Sequence, residues 1–237
     1  MNFSMIRVKA LFMKELKDCY RNPLTLISFT MPIIIILLFG IVSNIKPNKS
    51  NIFLLSIALN YSTVFIIPSI SSLVSEEKEK STLTVLTLSS ITPIEFIISK
   101  FLLPFIISLI NILITLIIFR ININFFPEIL IIELAYIISA ILIGSIIGIL
   151  SDTVATATVI SIFFLLVLLL IPSISSFNYM ANTTANFLVS YHSKLVIDNI
   201  TKGYSLLYSK YSLFIILMWI VIPLFAFILI YNKKPLA

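Results

Sequence analysis

Long apolar runs separated by short polar breaks dominate this chain. They fill residues 24–42, 52–74, 101–119, 128–150, 153–171 and 211–231. At ~1.5 Å rise per residue, about 20 residues cross a ~30 Å hydrocarbon core, so each run is long enough to span. The pattern predicts an all-α integral membrane protein with six transmembrane helices. Pro32 lies inside the first run and predicts a kink, Pro104 lies near the start of the third, and Pro172 is expected to stop the fifth.

The residues before the first run carry a different period. At helical spacing Met5, Val8, Phe12, Leu16 and Cys19 fall on one face, and Arg7, Lys14, Lys17 and Arg21 on the other. That pattern predicts a basic amphipathic helix over 1–22, lying in the headgroup layer. The basic stretch is too long for a cleaved signal peptide, and no small-x-small site follows the apolar run.

Two polar connections stand out. Residues 75–100 hold the dense charge cluster Glu76, Glu77, Lys78, Glu79 and Lys80, then an amphipathic stretch, then Pro93, Glu95 and Lys100. Residues 173–210 are too polar to span yet contain apolar patches, so short helices dipping into the outer leaflet fit better than coil. Lys/Arg bias orients the chain. With both termini inside, ten basic residues lie inside, including Arg7, Lys14, Lys78 and Lys100, against six outside, including Arg120 and Lys194. Residues 75–100 are then cytoplasmic.

Polar residues inside the spans must turn toward protein or water, because unpaired polar groups in hydrocarbon cost several kcal/mol, roughly a lost hydrogen bond or more. Ser56, Asn60 and Thr63 recur at helical spacing, and Thr156 and Ser161 sit early in the fifth span. They are candidate path-lining residues, or equally inter-helix glue. Glu133 falls near one end of its span and wants a partner. Arg120 is the nearest cation in the chain, which suggests a structural ion pair; a cargo or proton site is the alternative. Ala140, Gly144 and Gly148 form a small-residue ridge suited to close helix packing.

Composition narrows the function. The chain is 59% apolar and 11% charged, too apolar for a water-facing surface. The net charge of +6 belongs to the flanks of the spans and not to a nucleic-acid patch. One cysteine, Cys19, and one histidine, His192, supply no disulfide and no metal cluster. The four glycines cannot build a phosphate-cradling loop, so the chain does not hydrolyse nucleotide alone. Glu76-Glu77 lacks the following arginine and later histidines of a glutamate-pair membrane protease, and no other acid/base constellation exists. The chain is expected to be no enzyme.

Three stretches resemble the membrane (permease) subunit of type-2 ATP-binding-cassette (ABC) exporters. Lys14-Glu15-Leu16-Lys17-Asp18 with Arg21-Asn22-Pro23 is similar to that family's opening. Glu76 through Leu83, with Pro93, Glu95 and Lys100, is similar to its first cytoplasmic loop, with Ser81 and Thr84 in place of the usual glycine and glutamate. Pro172 and the long outer connection resemble its end. The resemblance implies a coupling helix at about 82–90 docking on a separate ATPase subunit. Glu76, Glu77, Glu79, Thr82, Leu83, Leu86, Pro93 and Glu95 would make that contact. It further implies ATP and Mg on that partner, no cofactor on this chain, a second permease subunit, surrounding lipid and a bacterial plasma-membrane location. An amphiphilic cargo fits: a peptide antibiotic or bacteriocin, a drug or a lipid-linked molecule. The alternative is a membrane-embedded immunity protein that captures a toxin without transport.

Overall fold

The computed structural model describes residues 4–21, 23–45, 50–79, 93–175 and 177–233. Every regular element among them is helical: α1 Met5–Arg21, α2 Pro23–Ile45, α3 Ser50–Val64, α4 Ile66–Glu79, α5 Pro93–Ile118, α6 Phe126–Leu150, α7 Val154–Ile174, α8 Tyr179–Ala185, α9 Val189–Thr201 and α10 Lys210–Lys233, with short 3-10 turns at Ile123–Phe125 and Leu206–Ser209.

Five stretches are long and apolar enough to cross a membrane: Ile52–Glu79, Ile98–Ile118, Ile123–Leu150, Val154–Ile174 and Leu206–Ile230. The described apolar part of α2, Phe29–Ser43, is shorter. The chain is therefore a multi-pass helical membrane protein.

The expected second span differs in both shape and length. It breaks at Phe65 into α3 and α4. Pro68 explains the break, since it has no N–H to return to the Val64 carbonyl one turn back. The combined stretch of 28 residues would measure ~42 Å if straight, well beyond a ~30 Å core. Its last turn carries Glu76–Glu79 clear of the apolar layer. The charge cluster expected in a loop is thus mostly helical, as is the other end of that segment, where α5 opens at Pro93. Pro172 does not stop α7; it is buried inside that helix, which runs to Ile174.

The core forms where α3, α4, α6 and α9 meet, around Leu59, Ile67, Ile70, Tyr136, Ile137 and Val196. Its tightest seam joins α4 to α6. A Cβ on Gly144 would sit 2.8 Å from the Ile67 carbonyl oxygen, and one on Gly148 would sit 2.7 Å from Val74 Cβ. Ala140, one turn earlier, is fully buried on the same ridge. Absent side chains let the two backbones close. By contrast α10 buries only 11% of its apolar window, leaving that surface for lipid or another chain.

Candidate functional site

The site assembles where α1 meets the end of α4 and the start of α5. α1 is amphipathic, but its buried stripe is Val8, Leu11, Glu15 and Cys19. Met5, expected on the apolar face, is 74% exposed, and Leu16 is exposed as well. The helix is rotated because Glu15 must point inward to meet Lys100, 2.7 Å away.

Lys100 is the hub. Its Nζ also lies 2.7 Å from Glu77 Oε1, and Lys14 reaches that same oxygen at 2.9 Å. Lys14–Glu77–Lys100–Glu15 thus alternates in sign and balances in charge. Glu15, Glu77 and Lys100 are all nearly sealed from solvent. Burial raises the Glu15 carboxyl above its ordinary range, although the Lys100 charge opposes the shift. Burial alone would lower Lys14, but the hydrogen bond to Glu77 and the charges of Glu77, Glu15 and Asp18 outweigh it and raise the ammonium.

A second tie lies toward the start of α1. Glu95 Oε1, in the first turn of α5, accepts from the Ser4 amide at 2.6 Å and from Arg7 Nε at 3.0 Å, with Arg7 Nη2 at 2.9 Å. Glu95 is fully buried.

The last turn of α4 makes a third tie. Lys78 Nζ donates to the Ile149 and Ser151 carbonyls at 3.2 and 2.8 Å and lies 2.9 Å from Asp152. A cation there complements the negative C-terminal end of α6. Glu79 Oε2 accepts from the Val154 amide at 2.7 Å, placing an anion on the positive N-terminal end of α7. One helical turn therefore fastens both sides of the α6–α7 corner.

These contacts alter the sequence reading. Glu77, Glu79 and Glu95 were expected to meet a partner subunit, yet each is engaged inside this chain. Glu76 is half-buried beside them, and Pro93 begins α5. Thr82, Leu83 and Leu86 lie outside the described residues.

Ser56, Asn60, Thr63 and Ser161 are buried within this chain. Ser56 and Ser161 donate to carbonyls of their own helices. Thr156 is exposed at the α7 N-terminus, where it forms a capping box with Thr153.

Glu133 does not pair with Arg120. Arg120 is exposed in the turn after α5, with φ of 52°. Glu133 turns toward α3 instead, where its Oε2 lies 2.5 Å from Thr63 Oγ1. Sequence proximity suggested the wrong partner; Thr63, itself a candidate polar residue, is 70 positions away.

The long connection folds into α8 and α9. His192 is a buried structural group: Nε2 lies 2.9 Å from the Asn186 carbonyl and Nδ1 3.0 Å from Ser212 Oγ. A carbonyl only accepts, so Nε2 carries the hydrogen and Nδ1 accepts from Ser212. Among the described residues, no group of three or more His, Cys, Asp or Glu side chains is placed to hold a metal.

A family model described as ABC-2 type transporter matches residues 6–192, from α1 through His192 of α9. Comparison with curated proteins gave no match.

Proposed function

The chain belongs to the ABC-2 type transporter family as a membrane permease subunit, and from that premise we propose that it exports an amphiphilic cargo under the drive of a separate ATPase subunit. The family implies an ATPase partner within an ABC system. In this reading six spans cross the plasma membrane, the α1 end faces the cytoplasm, and the connection between α4 and α5 meets the ATPase. A second permease subunit completes the path.

The observation supporting this reading is the double fastening of that connection. α1 holds the end of α4 through Glu77 and the start of α5 through Glu95 and Lys100. A push on residues 80–92 is then delivered to α1, α4 and α5 together, and through Lys78 and Glu79 to the α6–α7 corner. Motion of one rigid group against the rest is a recurrent way to switch between two packed arrangements. Nucleotide supplies the differential free energy.

The test is co-reconstitution with a candidate ABC ATPase subunit. The expected result is nucleotide hydrolysis stimulated by the permease and cargo moved outward. Leu83→Asp with Leu86→Asp should abolish both without unfolding the chain. Retained protection against a toxin without turnover would favour capture.

A further inference from the structure

Glu133 stands apart from the charges gathered at the α1 end. It is sealed from solvent in α6, where α3 and α9 pack on that helix. Its Oε2 touches Thr63, while its Oε1 meets no hydrogen-bonding group. One turn on, Tyr136 faces both Glu133 and Ser190 of α9. The Asn60 Oδ1, one turn before Thr63, is likewise unpaired.

Among the described residues no cation answers Glu133. On α9, Lys194 donates to the Pro172 carbonyl and lies 5.0 Å from the Phe53 ring, His192 is held by Asn186 and Ser212, and Asp198 pairs with Lys202. On α10, Lys210 and Tyr211 are exposed. The charged groups of α4 and α5 belong to the α1 end. Tyr136 is the titratable group that faces the carboxyl.

The hydrogens can be counted. Thr63 Oγ1 lies 3.2 Å from the Leu59 carbonyl one turn back, which can only accept. Thr63 has one hydroxyl hydrogen for two acceptors: given to Glu133 it closes the 2.5 Å contact itself, and given to Leu59 it leaves that contact needing a hydrogen from the other side. A carboxylic acid supplies it, at a separation proper to an O–H···O bond. The ionised alternative leaves two carboxylate oxygens with one shared hydrogen between them, deep among apolar side chains, where an unpaired charge is strongly disfavoured.

We infer that Glu133 is a proton-binding site, loaded in this conformation, and that its carboxyl hydrogen pins α3 to α6 through Thr63. Parting α3 from α6 would bring the acid to water, where it ionises at neutral pH. Proton binding and the α3–α6 contact therefore favour each other reciprocally. Raising the pH shifts the bundle toward the parted arrangement. The inference goes beyond the permease reading and needs neither cargo nor ATPase.

The test is an infrared difference spectrum at pH 7 between the purified full chain and its Glu133→Gln variant in lipid nanodiscs. The expected result is a protonated-carboxyl C=O band in the wild type, sensitive to deuterium exchange and missing from the variant. No such band overturns the proposal. Thr63→Val provides a second comparison if Glu133→Gln does not fold. It should keep the band and move it toward the frequency of an unbonded acid. An unmoved band overturns the Thr63 pin.

Discussion

Lys100 and Glu77 meet at 2.7 Å where α5 and α4 converge under α1, and neither is more than slightly open to solvent. A buried pair of this kind adds little net stability over an apolar substitute, but removing one member strands the other. Lys100→Ala removes the cation paired with Glu15 and leaves Glu77 with Lys14 alone of its two lysines. It should destabilise the detergent-solubilised chain by about 3–5 kcal/mol. The double variant with Glu77→Ala should recover part of that loss, giving a coupling of about 0.5–3 kcal/mol in a double-mutant cycle. Unfolding titrations on the four proteins check it.

The α4–α6 seam should be intolerant of any added carbon. Gly148→Ala places a Cβ against Val74 and the Ser71 carbonyl oxygen, and Gly144→Ala places one against the Ile67 carbonyl oxygen. Backbone atoms cannot step aside as a long side chain can. Each substitution should cost about 1–3 kcal/mol, read as a lowered unfolding midpoint. The same change at Gly203, which meets no atom within 4 Å, should act only through its φ of +88°.

His192 gives the α9–α10 contact a pH dependence of definite sign. Burial lowers its affinity for a proton below the ordinary value of 6.5, against the smaller effect of the Asn186 carbonyl. Above that value both folded and unfolded chains are neutral there, and the stability is intact. As the pH falls through and below 6.5, the unfolded chain takes up a proton that the folded one refuses, so stability drops. Thermal unfolding between pH 7.5 and about pH 5 should show this loss. His192→Gln should remove that component of the slope.

Much of the architecture was legible because hydrocarbon permits few solutions. Apolar runs of spanning length gave helices, and the basic amphipathic period gave α1. The errors share a cause: polar side chains satisfied at long range. Glu15 entered only as part of the opening motif, since nothing nearby reveals that its partner Lys100 lies 85 residues on. Glu77 and Glu95 were assigned to the ATPase contact, because their intrachain partners Lys14, Lys100 and Arg7 are distant in the sequence. Glu133 was assigned the nearest cation when its partner was an uncharged threonine on another helix. The bend at Phe65 did leave a signal, Pro68, which marks where the Val64 carbonyl loses its helical donor.

Which side of the membrane the α1 end occupies can be read directly. In a Cys19→Ser background, Lys80→Cys places a single thiol immediately after Glu79, and a membrane-impermeant maleimide reports its side. The expected result is labelling in inside-out vesicles and protection in intact cells, as an end worked by a cytoplasmic ATPase requires. Labelling in intact cells, with protection in inverted vesicles, would contradict it.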